Sequence, residues 1–197
     1  TIGDRANREV LDRYEQAFGG ERRSVRFRIE HAQHLSVEDI PRFGELGVIA
    51  SMQGIHMSSD RPWAIDRLGR ERIEEGAYVW RKLQQTGAIV INGTDVPVEP
   101  VNPIASFYAL VTRKTLAGTP AGGYEPDQKM TRKQALRSYT LDAAFAAFEE
   151  HEKGSIEVGK LADFTVLSND LLKVPEELIL RTRVEMTIVG GTTVYSR

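Results

Sequence analysis

The sequence predicts an α/β fold that gives way to a mostly β tail, and three observations predict it. Between residues 5 and 150, apolar spacing switches repeatedly between the helical and the strand period. Short loops separate these segments, which implies parallel strands joined by crossover helices. After residue 151 the texture changes to short strand candidates divided by glycine turns.

Each element has its own justification. Residues 5–18, RANREVLDRYEQAF, place Val10, Leu11, Tyr14 and Phe18 at helical spacing, and Gly19-Gly20 ends that helix. In VRFRIEH, 25–31, Val25, Phe27 and Ile29 point one way and Arg26, Arg28 and Glu30 the other, with His31 closing the apolar face. Ser36 caps a helix through Leu46 that Gly47 ends, and Pro41 makes its start irregular. VIASMQ, 48–53, is the second strand, followed by a loop over 54–66. ERIEEGAYVWRKLQQ, 71–85, is a helix ended by Gly87, and AIVINGTD, 88–95, is the third strand. The apolar start of that strand is the mark of cover on both faces. Asn102-Pro103 caps and opens a helix to about Leu116, with Arg113 and Lys114 in its last turn. PAGGYEPDQ is a loop, and Thr131 with Gln134 forms a capping box for a helix over 131–150. In the tail, KGSIEVGKLADFTVLSND and VEMTIVGGTTVYSR are strand candidates on either side of a helix, PEELILR.

Three parallel strands expose an edge and cannot close a barrel. Two architectures therefore fit residues 1–150: a small open sheet, or the back part of an eight-stranded barrel. Residues 151–197 form a second, β-rich unit. The chain starts on Thr1 rather than Met, with no signal-like segment, and the expectation is a piece of a longer protein.

Composition narrows the function classes. The net charge of −2 gives no basis for a nucleic-acid partner, and no apolar run reaches membrane-spanning length. With 0 cysteines there are no disulfides or thiolate metal sites, which fits a reducing, cytoplasmic setting. A metal must then be held by His, Asp or Glu.

Chemistry-bearing side chains gather where the strands end. His31 closes the first strand, His56 follows the second in SMQGIHMSSD, and Asp95 closes the third in INGTDVPVEP. The C-terminal edge of a parallel sheet is where α/β sites form. Imidazole and carboxylate suit Zn²⁺ or a similar divalent ion, or acid–base work. Other candidates have structural explanations. His34 braces a loop, and His151 favours a helix end. Asp4 and Arg5 cap the first helix, Glu30 forms a structural hydrogen bond, and Trp80 packs. Trp63, after His56, packs or lines a pocket.

The segments IGDRAN, RIEHAQ, SMQGIHMSSD, GTDVPVEPVNP, GSIEVGKLADFTVL and MTIVGGTTVY, in this order, resemble the C-terminal part of the amidohydrolase superfamily. The branch is the one that includes N-substituted formamide deformylases. The resemblance implies the last three strands, with their helices, of a TIM-like (β/α)8 barrel over 1–150, and part of a small β-sandwich over 151–197. It implies that His31 is a metal ligand after the sixth strand. Asp95 would bind metal and shuttle a proton after the eighth, and His56 would lie near substrate in the seventh-strand loop. The family usually carries Pro where this chain has Gly54, which gives His56 a freer backbone. The family's His-x-His pair and bridging lysine are not in this chain, and its fifth-strand His would immediately precede Thr1.

These mappings imply a metal-dependent hydrolase of small amide-like substrates in which Asp95 and His56 are catalytic. His56 and Trp63 would line the substrate site, and the ion of the full-length protein would be Zn²⁺. The 197 residues alone would be inactive. The alternative is a catalytically dead homologue serving as a binding or scaffold protein on the same fold. An isolated piece of this kind exposes a sheet edge, and masking that edge gives a homo-oligomer.

Overall fold

A computed structural model describes residues 1–19 and 24–197, so Gly20 lies outside the described residues. Helix α1 (Asp4–Phe18) ends at Gly19, which takes the left-handed conformation with φ 68°. Three strands follow, β1 (Arg28–Glu30), β2 (Ile49–Met52) and β3 (Val90–Asn92), parallel and in chain order. A 3₁₀ turn over Val37–Asp39 runs into α2 (Ile40–Leu46), with Pro41 in its first turn, as the sequence predicts. Helices α3 (Gly54–Leu68), α4 (Arg70–Gly76) and α5 (Trp80–Gln85) join β2 to β3. After β3 come α6 (Pro103–Thr112), α7 (Arg132–Tyr139) and α8 (Leu141–Ala146). Asn102 caps α6, and Thr131 with Gln134 makes the expected capping box on α7.

The tail forms a separate antiparallel sheet of β4 (Phe164–Leu167), β5 (Val184–Val189) and β6 (Thr192–Ser196) in that order. Gly190 and Gly191 turn the β5–β6 hairpin with φ of 56° and 80°, values that only glycine adopts without strain. PEELILR is a 3₁₀ segment rather than an α-helix.

Strand register decides which side chains meet the helices. Ile29, Ala50 and Val90 are aligned partners and enter one core with Leu11, Phe43, Leu46 and Leu83. Fully burying a side chain such as Phe43 or Leu46 stabilises by roughly 1.5–3 kcal/mol. Strand alternation places Arg28, Glu30, Ile49, Ser51 and Ile91 on the opposite face.

This corrects the reading of 25–31. The strand is three residues long, and Ile29 enters the core that also holds Leu11 of α1. Phe27 is 42% exposed, with its ring centroid 5.1 Å from that of Tyr14 and 5.4 Å from that of Phe18. Arg26 has φ 55°, is outside the strand, bonds both carboxylate oxygens of Glu150 and lies 3.8 Å over the Phe145 ring.

Other departures also have local causes. The segment 54–66 is helical, not a loop. Gly54 opens α3, with Pro62 inside the helix, where α6 comes so close that a Cβ on Gly54 would lie 2.6 Å from Leu110 Cγ. The helix over 71–85 is broken by Tyr78, φ 53°, beside Ala77, which bridges to His34. α6 stops at Thr112 because Arg113 turns left-handed, φ 60°, and buries its guanidinium against Glu125 and the Tyr78 and Tyr124 carbonyls. The helix over 131–150 is interrupted at Thr140, where ψ is −92°, so His151 lies beyond α8 and is no helix-end cation.

Candidate functional site

Both strand-end residues of the candidate site leave their strands with left-handed backbones. His31 has φ 72° and Asp95 has φ 59°. Such conformations cost a β-carbon-bearing residue of order 1–3 kcal/mol, and they persist where surrounding bonds impose them. For His31 that bond is its amide donating to the Ser51 carbonyl at 2.7 Å. The turn frees the imidazole from strict alternation with Ile29.

His56 arrives by a different route. It sits in the first turn of α3, whose free amides are met by neighbouring elements. The Gly54 amide donates to Asn92 Oδ1 at 3.1 Å, and the Ile55 amide to Ser106 Oγ at 3.0 Å. Asn92 belongs to β3 and in turn donates to Ser138 at 3.1 Å. The strand that leads to Asp95 thus holds the helix that carries His56. A proline at 54 would lack the amide that makes this bond.

The structure brings all three predicted chemistry-bearing residues together. One ligand atom from each of His31, His56 and Asp95 lies within 4.8 Å of the others. Asp95 Oδ2 is 3.6 Å from His56 Nε2 and 4.0 Å from His31 Nδ1, and the two imidazole centroids are 5.9 Å apart. The His56 side chain is 8% exposed, His31 27% and Asp95 33%, so the cluster is anchored in protein and open on one side. Burial pushes the His56 pKa down, while the Asp60, Glu99 and Asp95 carboxylates pull it up. The net direction favours a neutral ring, the form that ligates a metal.

His56 Nε2 is buried without a hydrogen-bond partner. Together with the imidazole–carboxylate donor set, this orphaned atom fits a divalent cation or a substrate atom at the cluster. Trp63 is 53% exposed and follows His56 and Asp60 on one face of α3, at the i, i+4, i+7 spacing.

The remaining candidates stay outside the cluster. The His34 amide donates to the Ile2 carbonyl, its carbonyl accepts from Asn7, and its ring meets Tyr78 edge-on at 5.5 Å. Asp4 lies in the first turn of α1, and its carboxylate accepts from the Arg5 amide at 2.8 Å. Burial pushes the Glu30 pKa up, but the Ser51 hydroxyl and the Arg28 guanidinium outweigh it and the net direction is down. Trp80 is fully buried beneath Arg113. The His151 side chain is 92% exposed. A groove of about 860 Å³ between α7 and the second sheet includes none of the three cluster residues.

Sequence reasoning missed Gln53. Its Oε1 accepts a hydrogen bond from His31 Nδ1 at 3.0 Å. The strand-end rule that singled out His31 and Asp95 applies equally to Gln53, the first residue after β2.

The sequence profile of the amidohydrolase family matches residues 1–195 of this chain. The chain is 38% identical over 196 residues to Protein LONG AFTER FAR-RED 3 of Arabidopsis thaliana, covering 98% of this chain and 33% of that protein. It is 29% identical over 189 residues to an N-substituted formamide deformylase of Arthrobacter pascens, covering 95% of this chain and 34% of that one. The crystal structure of an uncharacterized metal-dependent hydrolase from Pyrococcus furiosus superposes with a TM-score of 0.72 at 31% identity, covering 88% of this chain and 33% of that one. The chain therefore spans about a third of the length of these curated relatives.

Proposed function

We propose, from the premise that this chain belongs to the amidohydrolase family, that it is the C-terminal portion of a metal-dependent hydrolase of amide-like C–N bonds. Residues 1–150 are then the last three strands, with their helices, of a TIM-like (β/α)8 barrel, and 151–197 part of a small β-sandwich. The consecutive parallel strands β1–β3 with helices between them support this assignment. The observation that carries the functional reading is the convergence of His31, His56 and Asp95 at the C-terminal ends of those strands.

His31 and Asp95 would hold the ion, Zn²⁺ by the chemistry of their donors. When bound, such an ion acidifies water and polarises a carbonyl. Asp95 accepts the proton of the attacking water as the C–O bond forms. It returns that proton to the leaving nitrogen as the C–N bond breaks. His56, held neutral by burial, donates from Nε2 to the carbonyl oxygen as negative charge develops there. Trp63 offers an exposed apolar face to the substrate's remaining atoms. Charge −2 and the exposed carboxylates suit a small molecule rather than a nucleic acid, and the cysteine-free composition suits the cytoplasm. Among the described residues no helix is long and apolar enough to cross a membrane.

The test compares this chain with a longer polypeptide carrying it together with its upstream residues. The longer form should contain metal and hydrolyse N-substituted amides, and Asp95→Asn should cut its rate about 10²–10⁴-fold. The 197-residue chain alone should be inactive. Hydrolysis by the short chain, or an undiminished D95N rate, contradicts the reading.

A further inference from the structure

Gln53 accepts the His56 amide through its carbonyl at 3.2 Å, but its side chain does not do what its position suggests. It is the residue immediately before α3, yet its side chain caps no amide of that helix. It is also 91% buried, its relative exposure being 9%. Its side chain is committed elsewhere. Nε2 donates to the Ser51 carbonyl at 3.4 Å, which leaves Oε1 directed at His31 Nδ1, 3.0 Å away. The same Ser51 carbonyl accepts the His31 amide at 2.7 Å. One carbonyl therefore fixes both the left-handed backbone of His31 and the orientation of the amide beside its ring.

An amide oxygen only accepts hydrogen bonds, so the ring nitrogen facing it must carry the proton. A neutral imidazole holds one N–H, and placing it on Nδ1 leaves the lone pair on Nε2. We infer that Gln53 is a positioning residue that holds His31 in the Nδ1–H tautomer and presents Nε2 as its ligating atom. This rests on the hydrolase reading for its purpose, though not for its geometry. A ligating histidine is ordinarily oriented through its other ring nitrogen, and loss of that partner costs about 10–100-fold in metal affinity. Asp95 Oδ2, at 4.0 Å from Nδ1, is too distant to do the same work.

The experiment is long-range ¹H–¹⁵N correlation NMR on the metal-free 197-residue protein, with His31 assigned. It is run at about pH 8.5. The wild type should show Nδ1–H in about tenfold excess. Gln53→Leu should abolish that excess, and Gln53→Glu, which keeps an acceptor oxygen and tests that the effect is not misfolding, should retain it. A wild-type ring protonated on Nε2, or a Q53L ring with unchanged tautomer, overturns the assignment. Zinc chloride titration of the same samples reads the metal separately. The His31 Nε2 resonance should move, and Q53L should need about tenfold or more zinc for the same shift. A longer polypeptide carrying the upstream residues whose His31 ring zinc does not move, with the tautomer as stated, defeats the hydrolase reading while the role of Gln53 in setting the tautomer stands.

Discussion

His56 Nε2 lies 3.6 Å from Asp95 Oδ2, beyond hydrogen-bonding distance, and has no other partner although it is buried. An imidazole in the first turn of α3 and a carboxylate beyond β3 thus face each other without a direct hydrogen bond. An unmet buried polar atom costs about 1–3 kcal/mol, and replacing it by an apolar group of similar shape is nearly neutral or stabilising. His56→Leu should therefore leave the urea-unfolding free energy within about 1 kcal/mol of wild type, or raise it. A loss above about 2 kcal/mol would mean that His56 serves packing rather than a ligand.

Gly54 should tolerate no side chain. A Cβ there would stand 2.6 Å from Leu110 Cγ and 2.8 Å from the Ser106 carbonyl, at the contact that seats α3 on α6. Gly54→Ala should destabilise by about 1–3 kcal/mol through overpacking. Chemical denaturation measures this directly. An unchanged midpoint would show that the two helices have room to separate.

Glu125 is shared between two buried guanidiniums. Oε1 accepts from Arg61 at 2.7 Å and Oε2 from Arg113 at 2.8 Å, and the two arginine side chains are 6% and 0% exposed. Glu125→Leu would leave both cations without their carboxylate, at a cost of about 3–5 kcal/mol. Arg113 would keep its bonds to the Tyr78 and Tyr124 carbonyls, so the loss is electrostatic rather than a loss of every contact. Thermal unfolding should show a large drop in midpoint. A drop equal to that of an exposed pair such as Arg5–Glu9 would refute the buried-network account.

Stability should depend on pH through His34. Burial pushes its pKa down, against the pull of Asp60 and Asp4, from an ordinary value of ~6.5. Below that value the unfolded chain binds more protons than the folded one, so stability falls as pH drops from ~6.5 toward the folded pKa and is level above it. His56, displaced in the same direction by burial, adds to the slope. Urea midpoints at pH 7.5 and 5.5 should differ for wild type and differ less for His34→Leu. Equal declines in the two proteins would exclude His34 as a source.

How much was legible follows from what each residue signals. The ends of α1 and α2 were readable because Gly19 and Gly47 adopt left-handed φ of 68° and 70° there, and the caps at Asn102 and Thr131 because their side chains bond the helix amides. Helix α3 was not readable, because its start is satisfied by Asn92 and Ser106, residues distant in sequence. The break at Tyr78 and the end of α6 at Arg113 likewise depend on tertiary bonds that periodicity does not contain. For the site, residue type and strand-end position pick out His31, His56 and Asp95, which converge in the fold, whereas strand alternation does not account for the placement of His31. The positive φ of His31 turns it out of the strand's pattern. Gln53 carries no such signal in the sequence, because an amide has no titration of its own, and only its 3.0 Å distance to His31 reveals a role.

The most direct test is X-ray diffraction from crystals soaked in zinc chloride, with anomalous data collected at the zinc absorption edge. The account predicts a peak at the cluster, with a His31 ring nitrogen and an Asp95 carboxylate oxygen each about 2.0–2.2 Å from it. Density for zinc only at other surface carboxylates, with none between these two side chains, would contradict it.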